Sequence, residues 1–335
     1  MSIIFVGQNK LDFQNPRVAF DNSNVNAFDS DFVRGYLEIV SNTTPGLDSP
    51  FPIDLRQIPI GKVSIHMELY TQDNVNDNRL DGSWFSIYDN GGNLIGRVDH
   101  EAGLMRAQTF NGNTSASGGS ITLLPSVKYQ LDFTIEVTAL EITLEIFINK
   151  ISESVAVIAN DNNYGNTDQI YFDFEQIGFG SSFNDFIRFS QVIVTDNDDS
   201  TINKKLGELV KTADGAFTDF SQGFASVSDN DLLTLSAANA AGDRQSWQEG
   251  FTAPSGNRQI QSLIRVSSNP SFLELPELFS QGVVIGGVEY YGAAKAFPFL
   301  APSVDEFLTN PATGTQWEFS EITDAADFEG VIRLE

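Results

Sequence analysis

Tyr129-Gln130-Leu131-Asp132-Phe133-Thr134-Ile135-Glu136-Val137, a break near Ala139, then Leu140-Glu141-Ile142-Thr143-Leu144-Glu145-Ile146-Phe147-Ile148 is the stretch whose reading decides the fold. Leu131, Phe133, Ile135 and Val137 alternate with Asp132, Thr134 and Glu136. Beyond the break, Ile142, Leu144, Ile146 and Ile148 alternate with Glu141, Thr143 and Glu145. A period of two is the pattern of a strand with one face buried, and two matched runs joined by a tight turn form an antiparallel pair. Downstream, Ile177-Gly178-Phe179-Gly180 precedes a last alternating run from Phe186 to Val194. The order of long paired strands, insert, glycine turn and closing strand predicts a sandwich of two sheets.

The same texture extends towards the N-terminus. Phe32 to Val40 and Gly61 to Tyr70 alternate. In the second, Val63, Ile65, Met67 and Leu69 share one face, and Lys62, Ser64, His66 and Glu68 share the other. Trp84 to Tyr88 and Leu94 to Val98 flank Asp89-Asn90-Gly91-Gly92-Asn93, a hairpin signal because Asn and Gly adopt positive φ at little cost. The spacing predicts about a dozen strands before Asp196, a number suited to a two-sheet β fold.

Charge and composition exclude several functions. The chain holds 45 acidic and 19 basic residues, a formal charge of −26, so it has no basic stripe for phosphate backbones or anionic membranes. It has no cysteine, which removes disulfides, thiolate catalysis and Cys-ligated zinc and favours folding in a reducing cytoplasm. Met1-Ser2-Ile3-Ile4-Phe5-Val6 has no charged n-region and too short an apolar run for a signal peptide. No apolar run approaches the ~18 residues of a membrane span. Asp196-Asn197-Asp198-Asp199-Ser200-Thr201 is too polar to enter a core and reads as an exposed linker, dividing the chain into domains 1–198 and 199–335. In the second, Ile260 to Val266 reads as a strand, Ile285-Gly286-Gly287-Val288 as a hairpin, and the stretch after Trp317 as a short helix capped by Ser320.

Two segments resemble known families. Tyr129 to Asp196 resembles the closing half of concanavalin-like (laminin G-like) domains. Asn310-Pro311-Ala312-Thr313-Gly314-Thr315-Gln316-Trp317, with Glu321-Ile322 and Phe328-Glu329-Gly330-Val331, is similar to the ending of a family of tailed-phage structural proteins. Gly207 to Glu249 resembles the opening of the same phage domains. The resemblance implies a concanavalin-like two-sheet jelly roll, residues 1–198, and a smaller β-rich virion-attachment or assembly domain, residues 199–335, with a short C-terminal helix. The implied function is a non-enzymatic virion component: a head decoration, head fibre or tail-surface protein. It is made in the host cytoplasm and displayed on the virion as a homo-oligomer. Its partners would be other virion proteins, with neither nucleic acid nor membrane among them. The alternative is a tail protein that binds carbohydrate on a host surface glycan, and behind that a glycoside hydrolase.

Candidate sites follow from chemistry. Asp132, Glu136, Glu141 and Glu145 share the polar face of the paired strands, and with Trp84 as a stacking ring they make a candidate sugar surface, although packing is the commoner use of a tryptophan in such a strand. Asp132 to Glu145, or Asp173 with Glu175, also offer carboxylate pairs at the spacing glycoside hydrolysis uses, but a catalytic acid triplet on one strand is missing, so no catalytic residue is expected. Asp73, Asp77 and Asp81 lie in an Asn-rich loop with hard oxygen donors, a candidate for a structural calcium, without the EF-hand pattern. His66 and His100 are far apart in sequence and read as surface residues. Trp317 and Phe328 are candidate docking anchors.

Overall fold

The computed structural model describes residues 3–7, 18–40, 51–54, 61–71, 82–165, 167–172, 186–196, 201–221, 238, 240–254, 258–267, 278–296, 303–323 and 327–335. The chain forms two compact units, the first ending at Leu206 and the second running from Gly207 to Glu335.

Ile3–Gly7 (β1), Val18–Asp21 (β2), Tyr36–Val40 (β3), Phe51–Asp54 (β4) and Lys62–Tyr70 (β5) open the first unit. Gly82–Asp89 (β6), Leu94–Glu101 (β7), Leu104–Asn111 (β8), Thr114–Ser117 (β9) and Ile121–Thr122 (β10) follow. Lys128–Val137 (β11), Glu141–Ile148 (β12), Ile151–Ala159 (β13), Thr167–Phe172 (β14) and Phe186–Asp196 (β15) complete it. They form an eight-stranded sheet ordered β13-β12-β11-β5-β15-β3-β2, with β1 on β15. A seven-stranded sheet is ordered β10-β8-β7-β6-β14-β4, with β9 on β8.

The alternating apolar residues point between the two sheets. Phe133 of β11 meets Phe85 of β6 with ring centroids 5.1 Å apart, and both rings are fully buried. At Gly96 of β7 a Cβ would lie 3.1 Å from Ile135 Cδ1 of the opposite sheet, so the sheets approach closely there and a side chain would require that methyl to give way by a few tenths of an ångström. A smaller apolar group of Ala27, Phe28, Phe32, Val33, Tyr36 and Tyr70 lies under the stretch before β3.

Asp21 ends β2 and ties that stretch down. Its carboxylate accepts from the Ser23 N–H at 2.9 Å, the Ser23 hydroxyl at 2.8 Å and the Tyr36 hydroxyl at 2.8 Å. Burial pulls its pKa up, but these donors outweigh it and hold the pKa down, from 3.8 to about 2. A pKa depressed by folding gives stability that is present above about 3.8 and lost as pH falls through about 2. Asp21→Asn is therefore expected to be less stable than the parent at neutral pH. The gap should close as denaturant midpoints are followed from pH 5 down to about pH 2. A gap that stays constant over that range would contradict the assignment.

The second unit consists of Val210–Thr218 (β16), Arg244–Gly250 (β17), Leu263–Ser267 (β18), Phe279–Ile285 (β19), Val288–Tyr291 (β20), Ser303–Phe307 (β21) and Phe328–Leu334 (β22). Five of them form a sheet ordered β16-β17-β22-β19-β20, and β18 pairs with β21 separately. The β19–β20 hairpin turns on Gly286 and Gly287, with φ of 56° and 80°, where a Cβ would be strained. Leu263, Val283, Trp317, Ile322 and Phe328 make the core.

The expected architecture needs correction. The fold is mainly β and multi-sheet with no closed barrel. The expected jelly roll does not stand as its description, because both large sheets are built around consecutive hairpins, β6-β7-β8 and β11-β12-β13. Among the described residues there is no α-helix. The predicted C-terminal helix is a single 3-10 turn, Phe319–Glu321, with Ser320 inside it rather than capping it. Its continuation is blocked because the Ile322 carbonyl accepts from the Phe251 N–H at 3.0 Å while the Ile322 side chain enters the core. No helix among the described residues is long and apolar enough to cross a membrane.

Candidate functional site

The polar face of β5, β11 and β12 does not lie open as expected. Asp132 stands opposite His66 on β5 and Phe147 on β12. Asp132 and His66 are both buried, at 1 % and 0 % exposure. Asp132 Oδ1 bonds His66 Nδ1 at 2.9 Å and accepts from the Thr201 hydroxyl at 2.8 Å, while Oδ2 accepts from Gln130 Nε2 at 2.7 Å. His66 Nε2 is buried and makes no hydrogen bond among the described residues.

The segment from Thr201 to Leu206 is what covers this face. Gln130 Nε2 donates to the Ile202 carbonyl and the Leu206 N–H donates to Gln191 Oε1 at 3.2 Å. Lys205 and Lys128 flank the buried Glu68 carboxylate. Thr201, read as part of an exposed linker, is 1 % exposed. Asp132 is thus a fastening for that strap and presents no oxygen to a sugar.

The other candidates disperse. Glu136 and Glu141 are exposed on the same face, and Glu145 accepts from the Ser152 hydroxyl. Trp84 is 1 % exposed, at a bulge in β6, and its indole stacks on His100 with centroids 4.6 Å apart, so its rings have no face for a sugar. His100 is also buried, so neither histidine is a surface residue. Trp317 and Phe328 cross edge to face at 6.2 Å, and the indole N–H donates to the Phe307 carbonyl at 2.8 Å. They pack their own core and leave nothing for docking. Asp73, Asp77, Asp81, Asp173, Glu175 and the Ile177-Gly178-Phe179-Gly180 turn lie outside the described residues. Among the described residues, no three His, Asp or Glu side chains gather as a metal site.

The structure brings together a different set, on the outer face of the seven-stranded sheet. Gly96 and Val98 of β7 point into the core, so Arg97 and Asp99 point out. Across β6, β7 and β8 the register places Ser86, Arg97 and Gln108 in one row, with Ser83, Asp99 and Arg106 in the next. The Arg97 guanidinium lies over the Phe110 ring of β8, 5.0 Å from its centroid. The Ser83 and Ser86 hydroxyls share a hydrogen bond at 3.0 Å.

Both arginines are one-third exposed at the side chain, 33 % for Arg97 and 35 % for Arg106. Their Nε–H groups are nonetheless buried and make no hydrogen bond among the described residues. Asp99 Oδ1 lies 3.7 Å from Arg97 Nε, beyond hydrogen-bond reach. Arg106 uses Nη2 on Glu101, at 3.2 Å. Two buried donors without acceptors among the described residues are costly to the fold.

Sequence analysis missed this set because it looked for carboxylates and tryptophans. The available signal was the strict alternation of Arg97 and Asp99 with Val98, and of Arg106, Gln108 and Phe110 with Ala107 and Thr109, in a chain with only 19 bases.

No family model and no curated protein sequence matches the chain. Solved structures give weak likenesses. A mutant of HCR/D shares 11 % identity over 58 % of this chain and 48 % of its own, with a TM-score of 0.38. A sialidase shares 9 % over 59 % of this chain and 19 % of its own, at 0.37. The catalytic domain of a GH131 β-glucanase from Podospora anserina shares 12 % over 60 % and 88 %, at 0.36. The chain spans less than half the length of the first two. Likenesses of this size carry no argument about a ligand. They do correct an expectation: these neighbours include carbohydrate-active enzymes and no phage protein. The virion role, implied by the phage-like ending, and the absence of catalysis, read also from the missing acid triplet, are therefore not carried forward.

Proposed function

We propose that this chain binds carbohydrate through the outer face of its seven-stranded sheet. One observation supports the reading above others: two one-third-exposed arginines, an amide, a carboxylate and a half-buried phenyl ring share adjacent rows of one rigid sheet. Sugars present hydroxyl groups that both donate and accept, around a ring with an apolar face. Gln108 supplies two donors and an acceptor, Asp99 supplies acceptors, the guanidinium groups supply forked donors, and Phe110 supplies an apolar surface. Neighbouring strands hold these groups in fixed register, which limits the ordering cost of binding.

A glycan array carrying neutral and acidic sugars tests the reading, with Phe110→Ala and Gln108→Ala beside the parent. The parent is expected to be retained by a subset of glycans. Each variant should bind that subset about tenfold more weakly or worse, the loss that follows from removing roughly 1.4 kcal/mol of contact. A parent that binds no glycan, or variants that bind as the parent does, would rule it out.

A further inference from the structure

We infer that the saccharide carries a carboxylate, as a uronate does, and that Arg97 and Arg106 hold it. This rests on the carbohydrate-binding reading above and narrows it to an acidic sugar. The chain has 19 basic residues against 45 acidic ones, yet two arginines occupy diagonal positions on one outer face, since Arg97 stands opposite Gln108 and Arg106 opposite Asp99. Diagonal positions on adjacent strands lie about 7–8 Å apart, within reach of one ligand by long side chains.

The guanidinium group is a planar fork whose donors match a carboxylate in pairs, which a neutral hydroxyl does not. In both arginines Nε–H is the unused donor. That donor is buried in each, so a carboxylate would pair with the two terminal nitrogens, Nη1 and Nη2, of these one-third-exposed side chains.

Among the described residues, the protein's own carboxylates do not fill this role. Asp99 is too far from Arg97 Nε to accept, and Glu101 reaches Arg106 only through Nη2. Glu101 is 68 % exposed at the side chain, so its pair with Arg106 contributes little and yields readily to a better partner. Phe110 lies against one face of the Arg97 guanidinium. The chain's charge of −26 repels a long polyanion. That repulsion is screened beyond about 10 Å at 0.1 M salt, which suits a short acidic oligomer at physiological ionic strength.

Titration calorimetry on the full chain, at physiological salt, tests this with three short probes: a uronide oligomer, its carboxyl-reduced neutral counterpart, and a neutral oligosaccharide bearing sulfate. The parent is expected to bind the uronide, and the reduced counterpart at least tenfold more weakly. Arg97→Gln and Arg106→Gln should each lose tenfold or more for the uronide. Arg106→Lys, which keeps the charge without the fork, should fall between. Melting temperatures within a few degrees of the parent's confirm that each variant is folded.

If the reduced oligomer binds as tightly as the uronide and the Gln variants bind both normally, this inference is overturned while the carbohydrate reading stands. Binding of the sulfated probe without the uronide overturns the carboxylate assignment. Failure of all three probes, together with a blank glycan array, overturns both readings.

Discussion

Asp132→Ala is expected to destabilise the first unit by about 3 kcal/mol or more, because it removes one buried acceptor group and leaves two buried donors orphaned. The carboxylate is 1 % exposed and serves His66 Nδ1, the Thr201 hydroxyl and Gln130 Nε2. Gln130 keeps a second acceptor in the Ile202 carbonyl, whereas His66 and Thr201 have no other bond at those atoms among the described residues. Each orphaned donor costs about 1–3 kcal/mol. Asp132→Asn should cost less, since its carbonyl oxygen can still serve His66 and Thr201 and only the Gln130 contact turns donor against donor. Trp84 is the one tryptophan of the first unit, so its fluorescence in a denaturant titration reads the right transition. Hydrogen exchange supplies the local readout: in Asp132→Ala, amides from 201 to 206 should lose protection before those of β5 and β11. A variant within about 0.5 kcal/mol of the parent, the range of an ordinary surface substitution, would show that Asp132 is a solvated carboxylate after all.

Asp132 also shows how far the sequence was legible. Alternation put Asp132, Glu136, Glu141 and Glu145 on one face, and the register of β11 and β12 places them there. A period of two says which residues share a face and nothing about what covers it. The cover is the segment from Thr201, which follows a run of acids and reads with it as a solvated linker because its hydrogen bonds to Asp132 and Gln130 are invisible in one dimension. Trp84 takes the packing role that is the commoner use of a tryptophan in such a strand, and its sugar-stacking alternative is closed. It sits at a bulge between Ser83 and Phe85, and one extra residue there moves a side chain off the strict alternation. Turn chemistry was read more safely, because Gly286-Gly287 acts through its own backbone. The arginine pair was unreadable as a pair: Arg97 and Arg106 become neighbours only once β7 and β8 are in register.

In the second unit the largest effect is expected at a buried ion pair that no motif announced. Arg265 of β18 donates to Glu249 of β17 through both terminal nitrogens, Nη1 to Oε2 and Nη2 to Oε1 at 3.1 Å. The side chains are 11 % and 2 % exposed. The guanidinium lies against Gly330 of β22, so the bridge from the two-stranded to the five-stranded sheet passes over a glycine where a Cβ would require the guanidinium to shift. Glu249→Ala strands a buried guanidinium and should cost about 3–5 kcal/mol, read by the fluorescence of Trp247 and Trp317. Removing both charges in favour of apolar side chains of similar size, Glu249→Leu with Arg265→Met, should recover most of that loss, because desolvating the pair already offsets much of its attraction. Gly330→Ala should destabilise the parent by displacing the guanidinium. The same change should cost less in the Arg265→Met background, where a flexible thioether can move aside. The coupling between positions 265 and 330 in that double-mutant cycle carries the test. Additive losses would mean that the alanine strains the backbone of β22 itself, and that the ion pair is not what excludes a side chain from position 330.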